Sequence, residues 1–322
     1  MNKILQILCV HILIVTNLSA SEKTTIRLGV LPFGTVNWEV TALKKLGLLE
    51  TDQYQLEIHP VANPQAGKIA LLADSVDIII SDWIWVSRQR TRGFDLTFYP
   101  YSNTAGALIT DPQHQITKLQ NLKGKRLGIA GGELDKNWLL LLALAKKQHF
   151  DLEQSVEKVF AAPPLLNQQL IKNRVDAIIT YWHYAARLEA QGFQQLLDGK
   201  KILQELGISV AVPRLGYVFK RNWAKQNQNA LTAYFNGAIK AKNSICENDV
   251  VWQQIIPLSK TSSRETQNLL RKRYCQGLVK EWGTNQQKAA EQIYLLLKDI
   301  SNNRLTGTSD KLSPKTFWHI EK

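Results

Sequence analysis

Ile26-Arg27-Leu28-Gly29-Val30 runs on to Asn37-Trp38 and then to Val76-Asp77-Ile78-Ile79-Ile80-Ser81-Asp82-Trp83. About a hundred residues later the order returns as Lys125-Arg126-Leu127-Gly128-Ile129, Asn137-Trp138 and Val175-Asp176-Ala177-Ile178-Ile179-Thr180-Tyr181-Trp182. Each copy holds a short apolar strand, a glycine-containing turn, an Asn-Trp pair that opens a helix, and a second strand led by Val-Asp and closed by Trp. Two such α/β units facing each other enclose a cleft. Ligands of open α/β sheets sit beyond the carboxyl ends of the strands, so both sets of Trp fall where a ligand would lie.

The pattern extends outward from this repeat. Strands are read at residues 25–32, 54–61, 76–80 and 94–101, with helices at 40–49 and 67–73. The second set places strands at 126–130, 156–161 and 175–180 and helices at 136–147, 164–173 and 184–191. Residues 202–212 and 217–219 read as β-rich and carry the chain back. Beyond Trp223 the pattern is helical, at 229–246, 250–256, 264–277 and 286–302, and this tail is expected to pack on the first lobe. Alternating strands and helices imply parallel sheets with crossover helices. The expected fold is α/β, with two Rossmann-like lobes, a hinge and a helical C-terminal tail. Lobe 1 comprises residues 21–105 plus 215–322, lobe 2 residues 106–214, and the two crossing segments act as the hinge.

Residues 1–20 read as a secretory signal peptide: Lys3, an apolar run over residues 4–15, then Leu18-Ser19-Ala20. The run is shorter than the ~20 residues a membrane span needs. The mature chain is thus expected to begin near Ser21 and to be periplasmic. Cys9 lies within the apolar run, which argues against a lipid-anchored cysteine. Cys246 and Cys275 remain, and they either pair in an oxidising compartment or stay as two buried thiols on separate helices. The formal charge of +13 is spread along the chain, dense only at Arg88-Gln89-Arg90-Thr91-Arg92 and Arg271-Lys272-Arg273. No nucleic-acid-binding motif accompanies it, so no nucleic-acid partner is expected. A basic surface favours anionic membranes instead.

The residues that could carry chemistry are aromatic, acidic and backbone groups. Trp38, Trp83, Trp85, Trp138, Tyr181, Trp182 and Tyr184 fall near strand ends or helix starts, where aromatic faces could hold flat rings or cations. The competing reading of any one of them is ordinary core. Asp82, directly after a strand, is the strongest acidic candidate for an amine or another donor. Glu133 could be merely solvated, and Asp135 could be a helix N-cap. Asp77 and Asp176 form a matched pair read as structural, satisfying local backbone donors. Gly34-Thr35 and Gly131-Gly132 lie between strand and helix, where free amides suit a small polar group. His183 reads as a polar lining residue. Neither a Gly-x-Ser-x-Gly elbow nor a His-Glu-x-x-His motif occurs, so no catalytic residue, metal or cofactor is expected.

These motifs resemble the periplasmic substrate-binding proteins of the nitrate/sulfonate/taurine (NitT/TauT, SsuA-like) class of ABC transporters. The matching parts are Ile26-Arg27-Leu28-Gly29-Val30 with its turn, Val76-Asp77-Ile78, Asn121-Leu122-Lys123-Gly124-Lys125-Arg126-Leu127-Gly128, Val175-Asp176-Ala177 and Leu312-Ser313-Pro314-Lys315-Thr316-Phe317. The resemblance covers nearly the whole mature chain and implies a periplasmic-binding-protein type II fold. It also implies ligand contacts from Gly34, Thr35, Asn37 and Trp38, from Asp82 and Trp83, from Gly131, Gly132, Glu133 and Asp135, and from Trp182. The aromatic reading adds Trp138 and Tyr181.

Sulfonate and nitrate binders need donors at the ligand, whereas acids and Trp stand here. A pyrimidine-like, aromatic or amine-bearing ligand fits better. The resemblance implies a monomer that delivers a small molecule to an ABC permease in the inner membrane. One alternative is an accessory binding protein that serves a periplasmic redox enzyme without a permease. Another is an enzyme of the pyrimidine-synthase type, although that enzyme's Cys-rich motif is missing.

Overall fold

A computed structural model describes residues 23–319. The signal peptide read at residues 1–20 and the expected start near Ser21 lie outside the described residues. In chain order the first stretch runs β1 (Thr24–Val30), α1 (Val36–Lys45), β2 (Tyr54–Pro60), α2 (Pro64–Leu72), β3 (Ile78–Ser81), α3 (Trp83–Arg90) and β4 (Leu96–Ser102). The second runs β5 (Ala107–Thr110), β6 (Arg126–Ala130), α4 (Lys136–Lys147), α5 (Leu152–Ser155), β7 (Glu157–Ala161), α6 (Pro163–Ile171), β8 (Ala177–Thr180), α7 (Trp182–Glu189), β9 (Gln194–Asp198) and α8 (Gly199–Glu205). The chain returns through β10 (Leu215–Lys220) to α9 (Arg221–Gln226), α10 (Gln228–Glu247), α11 (Asp249–Ile255), α12 (Arg264–Gln276) and α13 (Thr284–Ile300).

The strands form two five-stranded sheets, ordered β2-β1-β3-β10-β4 and β7-β6-β8-β5-β9. Both are mixed rather than parallel. Strand β10 runs antiparallel to β3 and β4, and β5 runs antiparallel to β8 and β9. The βαβ pattern dictates parallel pairing only within each unit, as for β1 with β2 and β3 and for β6 with β7 and β8. The connecting strands enter from the other sheet and arrive reversed. The stretch expected to be β-rich at 202–212 is instead helix α8 followed by irregular backbone. Asp198 ends β9 and caps α8, its side chain accepting from the Lys201 amide at 2.7 Å.

The repeat holds at atomic level. Asp77 accepts from the Arg27 amide at 2.8 Å and pairs with the Arg27 guanidinium at 2.6 Å. Asp176 accepts from the Arg126 amide at 2.8 Å and meets the Arg126 guanidinium at 3.2 Å. Each pair ties the first strand of its unit to the turn before the third. The donors are thus 50 residues away rather than local.

One buried cluster runs through both units, from Trp83, Leu96 and Phe98 to Leu127, Trp138 and the leucines of α4, and takes in Ile293 and Leu297 of α13. A second lies between the first sheet and α1, α10 and α11. A third fills the far face of the second sheet. The tail therefore divides. Helices α10 and α11 pack on α1 as expected, α12 lies against both α10 and α7, and α13 lies against α4, which with α7 flanks the second sheet. The apolar faces of α4 and α13 meet because Leu140 and Ile293 converge beside Trp83. The chain then comes back to the first sheet, where Phe317 bridges to Phe98 of β4. Cys246 of α10 and Cys275 of α12 are joined by a disulfide, with S–S 2.04 Å and Cα–Cα 5.7 Å. Among the described residues no helix is long and apolar enough to cross a membrane.

Candidate functional site

The strand-to-helix turns of the two sheets meet. Asp82 caps α3, accepting from the Trp85 amide at 2.9 Å, and faces Lys136, the first residue of α4, at 3.3 Å. Burial raises the Asp82 carboxyl, but Lys136, Lys68 and the Trp85 amide together hold it below its ordinary value. Trp38 of α1 meets Trp182 of α7 edge to face, with ring centroids 6.2 Å apart. Between the units lie two small cavities. One of about 30 Å³ is lined by Asp82, Lys136 and Arg214. The other, of about 10 Å³, is lined by Thr35, Glu39 and Trp182. Each has room for little more than water, so the two halves are closed on each other.

The residues singled out from the sequence fall into three groups. Trp38, Trp83 and Trp138 are buried core: Trp83 donates its indole N–H to the Pro213 carbonyl at 3.0 Å, and Trp138 is 1% exposed among the leucines of α4. Asn37 is occupied in closing its own turn, its amide donating to the carbonyls of Leu31 at 2.7 Å and Gly34 at 3.0 Å. Asn137, its counterpart, does something different. Its side-chain oxygen accepts from the Gly106 amide and from Arg214 at 3.0 Å, pinning α4 to both connecting segments.

The second group is the loop before α4. Gly131 and Gly132 have φ of +91° and +83°. A side chain at Gly131 would press on the Asp135 carboxylate and the Tyr181 hydroxyl, each 3.1 Å from an added Cβ. Asp135 is the N-cap, accepting from the amides of Asn137 at 2.9 Å and Trp138 at 3.1 Å, and burial raises its carboxyl. Glu133 pairs at the surface with Arg304 at 2.6 Å. The third group, Thr35, Asp82 and Trp182, faces the join between the units, whereas Tyr181 lies exposed beside Gly131.

Sequence reasoning missed a buried polar cluster beside Trp182. Glu39 (3% exposed) and Lys242 (7%) stand 3.9 Å apart. Tyr274 donates to Glu39 at 2.8 Å, and Lys242 donates to the Tyr101 carbonyl at 2.6 Å while lying 3.6 Å from the centre of the Tyr101 ring. Burial raises the Glu39 carboxyl and lowers the Lys242 ammonium to about 8, each effect offset by the partner's charge. The findable signal was a charge inside an apolar stripe: Lys242 follows Leu231, Tyr234, Phe235, Ala238 and Ala241 on one face of α10. Arg214 was also missed. It is partly buried in irregular backbone, where no periodicity marks it, and desolvation lowers its guanidinium to about 10.

The sequence profile described as "NMT1/THI5 like" matches residues 40–248. The chain belongs to the NMT1/THI5-like family. The periplasmic aliphatic sulphonate binding protein SsuA from Escherichia coli shares the fold at a TM-score of 0.70 and 16% identity, over 92% of this chain and 97% of that one. SsuA from Xanthomonas axonopodis pv. citri, an alkanesulfonate-binding protein bound to MOPS, gives 0.68 at 16% identity over 93% and 99%. The periplasmic nitrate-binding protein NrtA from Synechocystis PCC 6803 gives 0.52 at 12% identity over 76% and 67%. The fold is thus that of type II periplasmic binding proteins, in the class the motifs resemble. None of the curated proteins matches the chain.

In this member of the family a histidine adjoins the aromatic join. His183 packs between Trp182 and Tyr184, and its Nδ1 has no hydrogen-bond partner among the described residues. Burial, with Arg187 adding to it, lowers the imidazole from 6.5 to about 4. The unfolded chain takes up this proton near pH 6.5, whereas the folded protein takes it up only near pH 4. Stability is therefore expected to fall as pH drops through that window, by up to ~3 kcal/mol. His183→Gln should remove this component. Melting curves of the two proteins that stay parallel from pH 7 to 4 would assign the acid loss to other groups.

Proposed function

We propose that the chain is an extracytoplasmic solute-binding protein. It captures a small ring- or amine-bearing ligand between lobe 1, residues 21–105 plus 215–322, and lobe 2, residues 106–214, and delivers it to an ABC permease. The observation that carries this reading is the join itself, where groups from opposite units, Asp82 with Lys136 and Trp38 with Trp182, meet at strand ends. Separation of the lobes would free Asp82 from Lys136, and a ligand amine could then take the place of the Lys136 ammonium. Trp182 and Tyr181, both partly exposed, supply faces for a ring. The family and the likeness to SsuA proteins support the transport role. The mechanism is a shift of population towards the closed form by contacts made from both sides.

Native mass spectrometry of the exported protein, looking for a co-purifying small molecule, identifies the ligand. Calorimetry with that ligand then tests the site. Trp182→Ala is expected to cost ~1–3 kcal/mol, by analogy with base–aromatic stacks, which weakens binding roughly tenfold to hundredfold. Asp82→Asn should weaken an amine ligand sharply and leave a neutral ring nearly unaffected. Two folded variants that both bind like the wild type would remove the ligand from this join.

A further inference from the structure

The largest space among the cavities described lies elsewhere. A cavity of about 470 Å³ opens beside β4, the edge strand of the first sheet, between α10, the backbone at Leu278–Trp282 and the returning tail at Trp318. Its walls come from β4, β10, α10, the connection between α12 and α13, and the returning tail. Its size is that of a small-molecule pocket, typically ~300–1,000 Å³ with apolar and aromatic walls and a few placed polar groups.

The walls fit that description. Tyr99 and Phe235 stack face to face at 4.2 Å, and Trp282 and Trp318 add two further rings. Ile239 of α10 projects into the space with 48% of its surface exposed, although it sits between buried turns of the helix. Of the charged lining, Lys242 is held by Glu39 and Glu281 accepts from Gln286 at 3.4 Å, which leaves Lys280. Lys280 is exposed and makes no ion pair among the described residues. Lys242 and Tyr101 also line the small cavity at Trp182, so this cavity and the join between the lobes share a wall.

The geometry points to a second ligand chamber, contained in the first lobe, that takes a flat, ring-bearing molecule carrying an anionic group. The rings would lie against Tyr99, Phe235 and Trp282, and the anion at Lys280. This chamber shares no lining residue with the cavity at Asp82 and Lys136.

The probe is 8-anilinonaphthalene-1-sulfonate, an anionic ring pair, titrated against the full mature chain and followed by its fluorescence. Neutral N-phenyl-1-naphthylamine serves as comparison. The wild type is expected to bind the sulfonate at one saturable site, more tightly than the neutral analogue. Ile239→Trp, which fills the chamber from a half-exposed position, should weaken binding at least tenfold with an unchanged melting temperature. Lys280→Glu, a surface change that leaves packing alone, should weaken the sulfonate severalfold and the neutral analogue hardly at all. Trp182→Ala should bind the sulfonate within twofold of wild type. Undiminished binding by folded Ile239→Trp, or loss of the probe in Trp182→Ala, would overturn the chamber without touching the inter-lobe reading. Equal response of both probes to Lys280→Glu would overturn its preference for an anion.

Discussion

Lys242→Met is expected to destabilise the protein by about 3–5 kcal/mol at neutral pH, the usual cost of removing one partner from a buried ion pair. The substitution leaves Glu39, 3% exposed, without its ion-pair partner, and also removes the donor to the Tyr101 carbonyl. The Glu39 carboxyl is already raised by burial, and without Lys242 it would rise further. It would therefore take up a proton, and the loss should shrink as pH falls towards 5. Adding Glu39→Gln should recover most of the stability, because an amide can still accept from Tyr274 and carries no charge to desolvate. Urea unfolding of wild type, single and double variants at pH 7.5 and 5.5 checks this. A single variant within about 1 kcal/mol of wild type would mean that water reaches Glu39 and that the pair is not truly buried. A double variant no more stable than the single one would mean that the loss is one of packing.

The second large effect is at the crosslink. Cys246 and Cys275 are separated by 29 residues, and closing a loop of that size restricts the unfolded chain enough to add ~3–4 kcal/mol in the chain-entropy description. The loop contains α11 and nearly all of α12, so the bond fastens the end of α12 to the long helix α10. Reduced protein, or the Cys246→Ser/Cys275→Ser double variant, should unfold at correspondingly lower denaturant. Intact mass under non-reducing conditions should show no free thiol in protein recovered after export. Two free thiols there, or equal stability of oxidised and reduced forms, would contradict the expectation.

Much of the architecture was legible because it is written locally. A five-residue strand, an Asn-Trp pair and a Val-Asp strand recur at a nearly constant offset, and the Arg27–Asp77 and Arg126–Asp176 bonds are the physical reason for two of the repeated positions. Strand direction was less legible. The sequence reads 217–219 as β-rich, but only the arrival of β10 from the other sheet makes it antiparallel. The destination of α13 was hidden for a related reason: an apolar helical face states that it will be buried, not against what. The site divides similarly. Asp82 and Trp182 were singled out because they follow strands. Glu39 with Lys242 and Tyr274 was not, because α1, α10 and α12 come together only in three dimensions, with 235 residues between Tyr274 and Glu39. Identical residues also differ in role: Asn37 closes a turn, whereas Asn137 joins three segments. A repeat in sequence therefore predicted equivalent placement better than equivalent use.

The path of α13 has a mechanical consequence. A rotor carried on two flexible cords can both swing and twist, whereas each additional tether removes a freedom. Here α13 leaves the first sheet's side, lies along α4, and is drawn back by the pairing of Phe317 with Phe98. Any rotation of α4 away from the first sheet must either drag α13 with it, loading the backbone on both sides of the helix, or shear it off and wet Ile293 and Leu297. Either route acts as a restoring spring in parallel with the two connecting segments. Opening of the two halves would then work against the tail as well as against what lies between them.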